Sequence, residues 1–398
     1  MNRARDPRWL LILIFLGIIG IVPLIQTALE IRDEEGVRAM EVFGQFPTAA
    51  SLRAYERRLE EASWATKVTR PWIQFAHFAF LRDGGTKCAI GLDGWYFYKP
   101  SLNYMLERPV IRKTVDPLND PFTAIADFRD QLAARGIQLV VMPVPNKESV
   151  YPDKVTPRMR NSGGVRTHRT QDLLRRLRTA NVEVIDLFDH FQQLRKQPSA
   201  ASEKPLYLAQ DTHWSPAGVA HAAKIVSRRL MQLGWIQPGR VDYAERLAPV
   251  RRLGDVLRML QAPLIERRVT PEAVPCVQVV RLDNGQPYAH AGDAEILVLG
   301  DSFMRIYQQD EPMSAGFISH LAKELKQPLM AVVNDGGGST LVRQELRGTP
   351  ALLRNKKVVL WEFVERDIGL GLHGWQKVAL PPDSQRPSPP TASNSTGN

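Results

Sequence analysis

Cysteine is almost missing: the 398 residues hold two, Cys88 and Cys276. That excludes a small disulfide-dense scaffold, and their wide separation offers no zinc-ligand spacing. The G-x-G-x-x-G spacing of a dinucleotide loop is absent, and no internal repeat is visible. Acidic residues are in deficit, with 42 Asp and Glu against 52 Lys and Arg, a net charge of +10. Such a balance suits an acidic partner: nucleic acid, anionic lipid or an anionic polymer. With 44% hydrophobic and 24% charged residues, the chain is neither wholly disordered nor collagenous nor a coiled coil. Its length suggests two to three domains at about 150 residues each.

Long apolar runs are also missing, with one exception. Trp9 to Ile25 carries no charge, and the run continues weakly to Leu29. About 20 such residues span a bilayer as a helix. Gln26-Thr27-Ala28-Leu29 lacks a small-x-small cleavage site, which favours an uncleaved anchor over a signal peptide. Arg3, Arg5 and Arg8 precede the run, and Glu30, Asp33, Glu34 and Glu35 follow it. The arginine end therefore belongs inside and the bulk of the chain outside, in a periplasm or extracellular space. That compartment disfavours nucleic acid. In it Cys88 and Cys276 are expected to pair, closing a long loop worth about 4–5 kcal/mol in the chain-entropy picture. Two buried thiols are the alternative.

The expected divisions are a cytoplasmic end (1–8), an anchor (9–29), a helical lead-in (30–84), a main domain (85–375) and a disordered Pro/Ser/Thr-rich tail (376–398). In the lead-in, Leu52, Tyr55 and Leu59 share one helix face. Asp93-Gly94 marks a turn, followed by the strand-like Trp95-Tyr96-Phe97-Tyr98. From Phe122 the pattern alternates. Helix-like segments (Phe122 to Arg135, Thr167 to Ala180, and one after Pro216) intersperse with short apolar runs. These runs are Leu139–Met142, Val182–Ile185, Ile296–Leu299, Met330–Val333 and Val358–Trp361. The alternation predicts an α/β fold with a parallel sheet covered by helices. Sites in such folds lie beyond the carboxyl ends of the strands.

Three segments carry candidate chemistry. Gly300-Asp301-Ser302 follows an apolar run, which sets a serine hydroxyl at the sheet edge; a helix cap is the alternative. Asp211-Thr212-His213-Trp214 precedes Ser215-Pro216, the start of a helix. A histidine can take the serine proton and a carboxylate can orient that histidine. An Asp-x-His pair could also ligate a metal, but no second cluster supports this and no metal is expected. Asn334-Asp335-Gly336-Gly337-Gly338 ends another apolar run. Its backbone N–H groups could face an anion, with Asn334 and Gly336 as candidate oxyanion or substrate residues.

Gly300-Asp301-Ser302 resembles the nucleophile block of SGNH hydrolases, except that the Asp-His pair here precedes the serine. That permuted order, Asp211-Thr212-His213-Trp214, Asp93-Gly94-Trp95-Tyr96-Phe97 and Val144-Pro145-Asn146-Lys147 resemble the AlgJ/AlgX family of alginate O-acetyltransferases, over roughly residues 85 to 370. The single anchor is more like the AlgJ type. The resemblance implies an SGNH hydrolase-like domain with Ser302 as nucleophile, His213 as base and Asp211 as its orienting carboxylate, working without a cofactor. It implies acetylation of an anionic exopolysaccharide such as alginate, from the periplasmic face of a bacterial inner membrane. A membrane-bound O-acyltransferase would supply the acetyl groups. A secreted carbohydrate acetylesterase and a noncatalytic polysaccharide-binding scaffold are the alternatives. Arg108, Arg112 and Lys113, and Arg175, Arg176 and Arg178, are candidates for contact with the polymer; ordinary solvated faces are the alternative.

Overall fold

The computed structural model describes residues 7–382, apart from 35, 45, 47, 107–118, 197–203 and 371–372. The chain divides into two units. One comprises the residues up to Gly85 together with Leu260–Val269; the other comprises Thr86–Met259 and the residues from Thr270 on.

In the first unit, the helix Pro7–Arg32 carries the uncharged stretch from Trp9 to Leu29, long enough to cross a membrane. A second helix, Ala49–Ala62, opens on a capping box in which Thr48 and Ser51 satisfy each other's N–H groups. The next, Trp64–Ala76, meets the inserted segment from later in the chain: the Arg268 guanidinium lies 4.7 Å from the Phe75 ring centroid. A linear reading misses this insertion because nothing in residues 260–269 marks it.

The second unit opens with a hairpin, β1 (Cys88–Ile90) and β2 (Tyr96–Tyr98). Asp93 and Gly94 both have positive φ at its turn, the backbone that an Asp-Gly hairpin turn requires. Next come β3 (Gln138–Val144) and β4 (Glu183–Val184), then two antiparallel pairs built from β5 (Tyr243–Leu247), β6 (Val250–Arg252), β7 (Glu272–Val274) and β8 (Val277–Arg281). The last strands are β9 (Ile296–Gly300), β10 (Met330–Val333) and β11 (Val358–Val364). Five strands form one parallel sheet in the order β10-β9-β11-β3-β4, which contains all five apolar runs of the sequence.

Each central strand is apolar on both faces because both faces are covered. Val140, Met142, Val298, Val358 and Leu360 enter one core, while Leu139, Val141, Leu297, Val359 and Trp361 enter the other. The alternation is the period-two pleat of a strand. Burial of each such side chain contributes about 1.5–3 kcal/mol.

Two expectations are corrected. The disulfide is not formed: Cys88 begins β1, while Cys276 lies between β7 and β8, which pair with β6 and β5. Both cysteines are buried, and burial pushes the Cys276 thiol up to about 12. Residues 376–382, expected in the disordered tail, are ordered against the second unit. Val378 and Leu380 are buried, and the Leu380 N–H donates to Gln131 Oε1 at 2.7 Å. Residues 383–398 lie outside the described residues, as do Arg108, Arg112 and Lys113.

Candidate active site

β9 delivers the serine. Its last residue, Gly300, has no room for a side chain, since a Cβ there would lie 2.2 Å from Met304 Cγ and 2.6 Å from Glu362 Oε2. Asp301 then caps the short helix Ser302–Arg305 by accepting the Phe303 N–H at 2.9 Å. The cap is present, and the candidate nucleophile is its neighbour in one turn, so the cap does not exclude the other reading of Gly-Asp-Ser. The Asp301 N–H donates to Glu362 Oε2 on β11 at 3.0 Å. Among the described residues the Ser302 N–H has no partner, as first-turn helix donors commonly do not.

The Asp-His loop precedes the helix Pro216–Gln232, which Ser215 caps through the Gly218 N–H. Trp214 is fully buried against Phe303 and Phe317, with ring centroids 5.4 and 5.6 Å away, and this anchors the loop. His213 Nε2 lies 2.8 Å from Ser302 Oγ, and His213 Nδ1 lies 2.6 Å from Asp211 Oδ1. Serine, histidine and aspartate therefore form one continuous relay.

Asp211 is held from every side. Its Oδ1 also accepts the His213 main-chain N–H at 3.1 Å. Its Oδ2 accepts Arg252 Nε at 3.0 Å and the Asp255 N–H at 3.1 Å. Burial disfavours the Asp211 anion, but the charges and hydrogen bonds of His213 and Arg252 outweigh burial and hold the carboxyl well below its usual range. Burial likewise disfavours the His213 cation. The Asp211 charge and hydrogen bond, with Asp255 and Asp301 beyond, leave the histidine above its ordinary value.

Residues outside the sequence candidates build this geometry. Lys147 is buried, and its Nζ donates to the carbonyls of Tyr96, Leu208, Ala209 and Asp211 at 2.6 to 2.9 Å. One ammonium thus ties the β2 hairpin to the Asp211 loop, which gives a physical reason for two of the quoted motifs. Gly254 packs against Gln210, where a Cβ would lie 2.0 Å from the Gln210 carbonyl oxygen, and so brings Asp255 to the loop. Arg252 continues to Asp310, and Arg305 joins Asp310 to Asp335 of the glycine loop. No local signal in the sequence separates these arginines from the many others.

Asp211, His213 and Asp255 are close enough together to suggest a cation site. Their atoms are already engaged: His213 Nδ1 with Asp211, Asp255 with Thr212, and Asp211 with the Arg252 cation. That arrangement suits proton transfer better than metal binding.

The glycine loop is placed differently from the residues first singled out in it. The Asn334 N–H extends the sheet by donating to the Gly300 carbonyl at 3.0 Å. Gly336 occupies a turn position at φ +68°. The glycine that approaches the serine block is Gly338, where a Cβ would lie 3.1 Å from Asp301 Oδ2. Trp361 Nε1 on β11 donates to the Gly338 carbonyl at 2.7 Å and so fixes the loop. Arg175, Arg176 and Arg178 pair with Asp172, Asp120 and Asp186, as expected of an ordinary charged face.

Known proteins share this arrangement of elements. The probable alginate O-acetylase AlgJ of Pseudomonas aeruginosa is 24% identical over 310 residues, covering 73% of this chain and 72% of that protein. Its Pseudomonas fluorescens counterpart is 25% identical over 300 residues, covering 73% and 70%. The alginate biosynthesis protein AlgX of P. aeruginosa is 23% identical over 249 residues, covering 59% and 48%. The solved O-acetyltransferase domain of Pseudomonas putida AlgJ superposes with a TM-score of 0.56 at 20% identity, covering 71% of this chain and 92% of that one. The AlgX structure from P. aeruginosa gives 0.50 at 20% identity, covering 70% and 62%. The family model for the SGNH hydrolase-like domain of the acetyltransferase AlgX matches residues 88–365, and the chain belongs to this family of O-acetyltransferases.

Proposed function

We propose that the protein moves acetyl groups onto hydroxyls of an alginate-type exopolysaccharide through an acetyl-Ser302 intermediate. The observation that carries this reading is the unbroken relay Ser302–His213–Asp211 at 2.8 and 2.6 Å. The names of the AlgJ relatives support the choice of polymer.

His213 Nε2 takes the Ser302 proton as Oγ attacks the acetyl carbonyl of the donor. The carbonyl oxygen gains negative charge next to the open Ser302 N–H, with the Gly336–Gly338 loop as the neighbouring wall. The tetrahedral adduct collapses, and the leaving group departs with the proton held on His213. A sugar hydroxyl then gives its proton to His213 Nε2 and attacks the acetyl-serine. Collapse returns the proton to Ser302 Oγ and leaves an acetylated sugar. Asp211 stabilises the imidazolium in both halves.

The helix Pro7–Arg32 would hold the protein in the inner membrane, with the catalytic unit in the periplasm. The acetyl supplier in this reading is a membrane-bound O-acyltransferase. The test is turnover of a chromogenic acetyl ester by the full chain in detergent, with and without polymannuronate oligomers, against Ser302→Ala. Acetyl on the oligomer that depends on Ser302 supports transfer. Ser302-dependent ester cleavage without sugar acetylation points instead to an acetylesterase, and no Ser302-dependent turnover points to a scaffold.

A further inference from the structure

Beyond the anchor, the first unit leaves large apolar side chains in the open. Among the described residues every exposed tryptophan and phenylalanine lies in this unit: two on the helix Pro7–Arg32, and Phe43, Phe46, Trp64, Trp72 and Phe80 after it. The helix Trp64–Ala76 is turned inside out. Trp64, Val68 and Trp72 recur every four residues along one side and are 38, 49 and 64% exposed. Thr66, Arg70 and Gln74 run at the same spacing on the opposite side and are partly buried, with Arg70 3.6 Å from Glu60 of the preceding helix. A helix on a water-soluble surface does the reverse, with its apolar stripe inward and its polar side out.

The start of this helix is tied to the end of the anchor. The Trp64 N–H donates to Gln26 Oε1 at 2.7 Å, and Gln26 Nε2 donates to Glu30 Oε1 at 2.8 Å. Glu30 also accepts the Arg38 N–H at 3.0 Å, so two segments of the lead-in are held against the last turns of Pro7–Arg32. Gln26 lies four residues before Glu30, the first charge after the uncharged stretch. At 1.5 Å per residue, the Trp64 end is thus fastened about 6 Å to the apolar side of that charge. A helix lying in a membrane surface sinks its apolar face about 5–10 Å into the boundary of headgroups and acyl chains. Tryptophan is enriched at that boundary. Arg268, over the Phe75 ring at the edge of the same face, has an apolar stem and a charged head suited to a lipid phosphate.

Resting on the reading of Pro7–Arg32 as a membrane anchor, we propose that the helix Trp64–Ala76 lies in the surface of the same membrane, with Trp64, Val68 and Trp72 among the lipid headgroups and upper acyl chains. The first unit then holds the bilayer by one helix that crosses it and one that lies flat. A crossing helix alone leaves the unit free to tilt; the second contact holds it against the surface.

The test uses the full chain in vesicles of phosphatidylethanolamine and phosphatidylglycerol, with no other protein. A polarity-sensitive fluorophore is attached in turn to the Val68→Cys, Trp72→Cys, Arg70→Cys and Ile18→Cys variants. Cys88 and Cys276 are buried, and the parent treated with the same label gives their background. Ile18 lies within the anchor, and Arg70 is about 200° around its helix from Val68. Emission at positions 18, 68 and 72 should shift to the blue and lose intensity when the lipid acyl chains carry bromine. The label at position 70 should keep its intensity. The proposal is overturned if positions 68 and 72 stay in water while position 18 is quenched. Quenching at position 70 as strong as at position 68 also overturns it, since a helix lying flat presents one side to the lipid. So does protection from water without quenching by bromine. Protection that grows with the protein-to-lipid ratio would give the face to a second copy, and protection found only in native inner membranes would give it to a protein partner. No quenching at position 18 would mean instead that Pro7–Arg32 does not enter the bilayer, which is the failure of the anchor reading itself.

Discussion

His213 is held by opposed forces, and their balance sets how the protein responds to pH. Burial penalises the imidazolium, while Asp211 restores it and raises the histidine above its ordinary value. The base must be neutral to accept the serine proton, so activity rises as pH climbs through that raised value. Asp211→Asn removes the charge that opposes burial. Its pH–rate profile is predicted to show the acid limb at lower pH than in the parent, with kcat down by about 10³–10⁴. An acid limb that stays in place would mean that Asp211 does not set the histidine. The three relay residues were legible in the sequence because each lies in a short block whose residue types have few uses together. Arg252, Lys147 and Asp255 were not, since each acts only through contacts that folding creates between distant segments. Asn334 and Gly336 lie in a legible loop, but the sequence could not say that Gly338 makes the close approach, because the three consecutive glycines differ only in their φ angles and neighbours.

At the scale of elements, two supports hold the catalytic loops, and both are testable. Lys147 satisfies four carbonyls from two segments. Lys147→Met removes the donor these carbonyls share, with the Ala209 carbonyl keeping only the Tyr96 N–H, and should cost about 3 kcal/mol, read as a lowered midpoint in denaturant unfolding. Glu362 accepts the Asp301 N–H from the middle of β11, and burial beside Asp301 holds its carboxyl well above the usual range. A neutral Glu362 needs no charge to do this. Glu362→Gln is therefore predicted to keep most of the parent's kcat, whereas Glu362→Leu loses the acceptor and falls at least about tenfold. Equal losses in the two variants would contradict a neutral acceptor. The five core strands were legible because burial on both faces demands continuous apolar runs. β5 to β8 were not: residues such as Glu245 and Arg246 face solvent, and their pairing joins segments far apart in the chain. The missing disulfide has the same origin, because sequence separation says nothing about which strand pair a cysteine joins.

Across the whole molecule, the chain first builds β3 and β4 at one side of the sheet, then the Asp-His loop, and only later β9 with the serine. The motif order is permuted, yet the triad geometry is kept, because catalysis needs positions in space rather than along the chain. The same unit buries several acids. Burial pushes Glu148 and Asp367 up to about 7 and also raises Glu365 and Glu362. A carboxyl with a raised folded value contributes stability that is present below its unfolded value and lost as pH rises through the folded one. Asp211 is shifted the other way, and its contribution is lost only in stronger acid. The thermal midpoint is therefore predicted to be higher near pH 5 than near pH 8, and the reverse order would contradict these assignments. The central claim is the acetyl-serine. Brief exposure of the protein to a chromogenic acetyl ester, an acid quench and peptide mass spectrometry should find one acetyl group on Ser302. A chase with polymannuronate oligomer before the quench should move that acetyl to the sugar. Acetyl on another residue, or none on Ser302 while the oligomer is still acetylated, would contradict the account.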